Sequence, residues 1–264
     1  MSTLLTATLE TLRTVKKIGH ITPSCNMALE HLTPLMTGPV AHRVSNHFTR
    51  IPVDNISLAD EDRAQFRTDT MVAAARLLAD AAVDGVLWNG TSACWNGTQA
   101  DVEICDAITR ETGVAASTTI LAQYEVFERH GIKSYGLAVP YTDAVTDKSI
   151  ETFSEAGYEA VGRANLGLSV GREMAYVPLP DIRDLIRAAD SPAAECVIVI
   201  CTGLPAALVV EEMEQELGKP IFDSVIVTLW KGLQLVDVSE PIEGWGSLLR
   251  GSRIVEAEDA VVRA

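Results

Sequence analysis

Positive charge is scarce in this sequence. Its 264 residues carry 21 Lys and Arg against 36 Asp and Glu, a formal charge of −15. Phosphate contacts need clustered basic side chains, and no such cluster occurs, so a nucleic-acid partner is not expected. Long apolar runs are also lacking. None reaches the roughly 18 residues of a membrane span. The opening MSTLLTATLETLRTVKK has no apolar core behind a basic head, so neither a membrane partner nor a secretory signal is expected. Cysteines are few, odd in number and scattered: Cys25, Cys94, Cys105, Cys196 and Cys201. They form no CxxC pair, and the histidines form no HxxxH pair. Free thiols in a reducing, cytoplasmic setting are the expectation, with no metal and no cofactor.

What is present is a packed globular chain, 47% apolar and 22% charged. Short apolar runs alternate with longer periodic segments. The runs at 18–22, 85–89, 113–117, 134–139, 196–201 and 220–224 read as buried strands of parallel sheet, covered on both faces. Segments 60–82, 98–113, 142–157 and 204–218 read as helices, the last with Pro205 near its start. Strand–helix alternation predicts an α/β fold.

The sequence also repeats itself. KKIGHITPSCN aligns with KSYGLAVPYTD, matching Gly19 to Gly136 and Pro23 to Pro140 at one separation. DGVLWNGTSACW aligns with ECVIVICTGLPA, matching Gly90 to Cys201 and Thr91 to Thr202. Two Rossmann-like parallel-sheet half-domains related by a pseudo-twofold are expected: 15–119 plus 225–264, and 120–224. Ligands in such sheets bind beyond the strand carboxyl ends. Four loops would converge there: Pro23–Asn26, Gly90–Ser92, Pro140–Thr142 and Cys201–Gly203. Their hydroxyls, amide and helix starts suit a carboxylate or the enediolate formed from one, although Ser, Thr and Asn are equally favoured as helix caps. A helix start also lowers a thiol pKa, so a thiolate is expected at Cys201.

ITPSCN, the GTS after a strand, VPYTD and CTGLPAALVVEEMEQELGKPIFDS together resemble the aspartate/glutamate racemase superfamily, in its maleate isomerase and arylmalonate decarboxylase branch. The resemblance runs from about Lys17 to Gln234 and is most specific over Cys201–Ser224. It implies cofactor-free, metal-free chemistry on a small carboxylic acid held between two halves. Racemases of the superfamily use one cysteine per half. Here the second position is Cys201, whereas the first is Gly90. The decarboxylases share that departure, keeping one cysteine as proton donor. The resemblance then implies Thr91, Ser92 and Tyr141 on the carboxylate oxygens, the backbone N–H groups of Cys201 and Thr202 beside them, and Cys201 protonating the carbanionic carbon.

Asn26 instead follows the isomerase pattern, and Asn165 aligns loosely with a second substrate-binding Asn of isomerases. Three functions follow: a cofactor-independent lyase on a malonate-type acid; an isomerase or racemase, including the type found in ectoine catabolism, in which Cys25 or a water replaces the first cysteine; or a non-catalytic carboxylate binder. Cys94 is expected to point away from the loop and Cys105 and Cys196 to be core. Trp88 reads as sheet core and Trp95 as a pocket wall, and His20 and His47 read as structural. The abundant helix surface suits a homo-oligomer.

Overall fold

The computed structural model describes residues 11–251. The opening ten residues, and the last part of the 225–264 segment, lie outside the described residues. Among the described residues, eight strands occur in two sheets. The first holds β1 (Lys16–Pro23), β2 (Val44–Ile51), β3 (Gly85–Trp88) and β4 (Ala116–Thr118). The second holds β5 (Ser134–Tyr141), β6 (Glu159–Leu168), β7 (Cys196–Val199) and β8 (Ile221–Asp223). Strand order is β2-β1-β3-β4 in one and β6-β5-β7-β8 in the other, and every pairing is parallel. The chain is an α/β fold of two Rossmann-like halves with matching topology.

The main helices are α1 (Leu29–Thr37), α2 (Thr68–Asp80), α3 (Thr98–Thr112), α4 (Thr119–His130), α5 (Asp143–Glu155), α6 (Leu179–Ala189), α7 (Val210–Leu217) and α8 (Ser224–Leu235). Among the described residues, none is long and apolar enough to cross a membrane.

Several elements depart from the sequence reading. Strands β2 and β6 carry no continuous apolar run, because each is an edge strand and most of its residues are only half-buried. The 60–82 segment is not one helix. A single turn at Asp60–Arg63 and a 3-10 turn at Ala64–Phe66 precede Arg67, whose extended backbone ends them before α2 begins. The Gln65 amide draws this corner toward the preceding loop, accepting from Asp54 N–H and donating to the Asn55 carbonyl. Gly113 is not in a strand. It ends α3 in the left-handed conformation at φ 73°, and β4 starts later. The 204–218 segment opens as a 3-10 turn at Pro205–Val209 before α7.

Two helices cross between the halves. Helix α4 follows β4, yet its Phe127 meets Tyr135 and Phe153, and its Tyr124 meets Tyr158. Helix α8 follows β8 but packs on β3 and β4. Its Gly232 permits that approach, since a Cβ there would lie 2.6 Å from Leu87 Cδ1. The two helices touch through Thr119 Oγ1 and Thr228 Oγ1, 2.8 Å apart. Helix α8 is apolar nearly all round, as a helix buried between two sheets must be.

His20 lies in β1, fully buried and stacked on Phe48 at 4.8 Å, with Nε2 3.0 Å from Asn46 Oδ1. Burial pushes its pKa down to about 4, against the opposing hydrogen bonds to Asn46 and Asn89. The unfolded chain takes up this proton near the ordinary value of 6.5, whereas the native state does so only near 4. The stabilisation is therefore complete above that ordinary value and is lost as pH falls toward 4, on the order of 3 kcal/mol in all. Asp101 and Asp223, raised to about 7 by burial, have the opposite slope. Between pH 7 and pH 4.5, urea unfolding should therefore show stability changing less unfavourably in His20→Gln than in the native chain; equal changes would contradict this account.

Candidate active site

The carboxyl ends of β1, β3, β5 and β7 meet across the halves around one cavity of about 40 Å³. The first half contributes Pro23, Cys25, Asn26, Ile56, Phe66, Gly90, Thr91, Ser92 and Trp95. The second contributes Tyr141, Gly171, Met174, Cys201, Thr202 and Gly203. Every nominated site residue except Asn165 lines this cavity. Asn165 lies in β6, and its Nδ2 donates to the Tyr141 carbonyl at 3.1 Å, so it supports the backbone behind the site. Cys94 is fully buried in the turn after the loop and Cys196 in β7, both away from the cavity wall, while Cys105 on α3 is only half-buried.

Hydrogen bonds join the two halves at the cavity. Asn26 Nδ2 donates to the Thr202 carbonyl at 3.0 Å and to Thr202 Oγ1 at 3.2 Å. Thr202 Oγ1 donates in turn to the Asn89 carbonyl at 2.9 Å. Asn26 Oδ1 accepts from Ala28 and Leu29 N–H, both at 3.0 Å, so the same amide holds the start of α1. Ser92 is not used as a side-chain cap; its Oγ accepts from Trp88 Nε1 at 3.4 Å.

Thr91 Oγ1 and Tyr141 OH lie 2.7 Å apart, one from each half. In such a pair one hydroxyl donates to the other, and the Tyr141 phenol also lies within hydrogen-bond reach of the Cys201 thiol. Burial holds the Tyr141 phenol well above its ordinary pKa, so it stays a donor at neutral pH. No charged side chain lines the cavity. Anion binding here would rest on neutral hydroxyls and backbone dipoles. Among the described residues no group of three or more His, Cys, Asp or Glu is placed to hold a metal.

Two expectations about Cys201 change. Its backbone N–H is not available to a carboxylate, because it donates to Ser224 Oγ at 3.1 Å. Its thiol is not a thiolate either. Burial raises the pKa to about 11, outweighing hydrogen bonds from Tyr141, Gly203 and Leu204 that lower it. The Cys201 thiol is directed at the Met174 sulfur, 3.5 Å away, a weak acceptor from another loop that covers it. Loss of hydration here exceeds the stabilisation offered by the local N–H groups.

Sequence reasoning also missed the outer wall. Ile56 N–H donates to the Ser169 carbonyl at 2.8 Å and Gly171 N–H to the Asp54 carbonyl at 2.9 Å, around an antiparallel bridge of Asn55 and Val170. This strap joins the halves beside Ile56, Gly171 and Met174. Apolar loop residues resemble core residues in a sequence, so no local signal distinguishes them.

The two halves of this α/β fold thus enclose a hydroxyl-lined cavity that also carries the Cys25 and Cys201 thiols. The family model of arylmalonate decarboxylase matches residues 54–249, and the chain belongs to that family. It is accordingly an enzyme of the decarboxylase or isomerase kind. The maleate isomerase of Geobacillus stearothermophilus is 20% identical over 89% of this chain and 97% of its own length. A solved cysteine-to-serine mutant of Nocardia farcinica maleate cis-trans isomerase, carrying a covalently bound succinylcysteine intermediate, superposes with a TM-score of 0.83 at 20% identity, over 90% of this chain and 99% of that one. Unliganded arylmalonate decarboxylase superposes with a TM-score of 0.75 at 22% identity, over 90% of this chain and all of that one.

Asn26 connects a helix start to the opposite half. Asn26→Ala should cost about 2 kcal/mol of stability through the lost bonds to the Ala28 and Leu29 N–H groups and across the halves. Thr91→Val should cost less, because its partner phenol keeps the Cys201 thiol as a hydrogen-bond partner. Denaturant titration of the two variants checks the order, which reverses if Asn26 is incidental.

Proposed function

We propose that this enzyme is a cofactor-independent decarboxylase of a substituted malonate-type acid, with Cys201 as the proton donor. The observation that supports it best is the state of the thiol. A cysteine whose pKa is pushed up to about 11 carries its proton at neutral pH, which suits an acid and not a nucleophile. One substrate carboxylate would lie on Thr91, Ser92 and Tyr141. The other would face the apolar wall of Ile56 and Met174, where it loses hydration and leaves as neutral CO2. The carbon–carbon bond breaks, its electron pair enters the enediolate, and the hydroxyls hold the developing charge. Cys201 S–H then gives its proton to the carbon, and water returns one to the sulfur.

The second reading is a maleate-isomerase-like or racemase-like enzyme. It is favoured by Cys25, whose side chain lines the same cavity, and by the full-length maleate isomerase relatives. Its Cys25 thiol is also raised by burial, which weakens it as an attacking group.

A panel of substituted malonates, assayed for CO2 at pH 7, tests the first reading, with maleate and chiral 2-aryl acids in the parallel arm. Cys201→Ala should lower CO2 release by about 10³-fold. Because the acid form is the active one, kcat/KM should stay level from pH 6 to 9 (about three units) and fall only as pH nears 11. A rate that climbs tenfold per unit across that range identifies a thiolate mechanism instead. Conversion of maleate to fumarate without CO2, lost in Cys25→Ala, selects the isomerase.

A further inference from the structure

Gly90 has no conformational need to be glycine. It is not among the residues with positive φ, so its backbone suits any residue. Space is what excludes a side chain. A Cβ on Gly90 would lie 2.1 Å from Trp88 Cζ2, 2.3 Å from Cε2 and 2.8 Å from Cη2. Carbon atoms that are not bonded do not approach so closely. Nor is the indole free to step aside. Trp88 ends β3 with 1% of its surface exposed, its N–H is directed at Ser92 Oγ, and Phe66 lies against it at 6.1 Å.

The internal repeat gives the comparison. Trp88-Asn89-Gly90-Thr91 in the first half corresponds to Val199-Ile200-Cys201-Thr202 in the second. Where the residue ending the strand is small, the residue two places on bears a thiol. Where it is an indole, that residue bears nothing. Volume has been exchanged between the two positions.

We propose that Trp88 is a positioning residue that determines which protons the site can move: its indole occupies the side-chain space of position 90 and restricts proton transfer to the Cys201 side. The cavity then carries the Cys201 thiol on the second-half side and bare Gly90 backbone at the matching first-half position. Its catalytic consequence rests on Cys201 acting as the acid; its steric content does not.

The test is a double-mutant cycle at positions 88 and 90, read by thermal unfolding and by stereochemistry. With Trp88 present, G90A and G90C should each unfold more than about 5 °C below the native enzyme, or fail to accumulate in soluble form. In the W88V background, which reproduces the second-half pairing, the same changes at position 90 should be neutral or raise Tm. W88L supplies a second background if W88V is too unstable to purify. W88V/G90C should also expose one further thiol to iodoacetamide. In D2O it should carry deuterium to both faces of 2-phenylpropionate, scrambling a single enantiomer, whereas W88V alone should not. G90A within about 2 °C of the native enzyme, or equal losses in both backgrounds, overturns the proposal. Absence of turnover with 2-methyl-2-phenylmalonate would count against decarboxylation alone, since the thermal and alkylation arms do not depend on it.

Discussion

The bonds running from Asn26 through Thr202 to the Asn89 carbonyl fix how the two halves face each other at the site. Each half presents a strand end that can bind little alone. Only when the β1 loop is tied to the β7 loop, and the β7 loop to the β3 loop, do hydroxyls and thiol share one volume. The Thr91–Tyr141 pair depends on the same alignment. Because these groups are buried, any partner left unsatisfied by a shift of one half would carry its full desolvation cost. The site is thus also the seam, and its polar groups both bind and join.

The thiol illustrates a contest between two effects acting on one atom. Local N–H groups, from Gly203 above all, favour a charged sulfur. Burial under Met174 favours a neutral one and wins. Such outcomes turn on what covers a group, and the covering residue comes from a different loop. The chemistry that suits Cys201 is therefore set as much by the strap region as by the loop that carries it.

The sequence made the architecture legible where residues were doubly constrained. Central strands such as β5 and β7, buried on both faces, had to be apolar throughout, and so they stood out. The Gly90–Cys201 correspondence was readable because two copies of a strand–loop unit could be compared. Edge strands β2 and β6 were not readable, since water on one side permits polar residues. The break at Arg67 was hidden because Gln65 and Phe66 fit a helical pattern, yet their partners lie in a loop and in the cavity wall. Asn165 was nominated by alignment alone, and its amide proves to hold Tyr141 from behind. Ile56, Phe66 and Met174 gave no signal, because an apolar residue in a loop does not state what it will cover.

The crossing of α4 and α8 has a consequence for how such a molecule can be divided. The helix that follows each sheet packs against the other half as well as its own. Cut between the sheets, neither piece would be self-sufficient, and each would expose a sticky helix until it met its counterpart. If a duplicated gene gave rise to this chain, the ancestral unit would have existed as a mutually swapped pair, with one cleft at its axis.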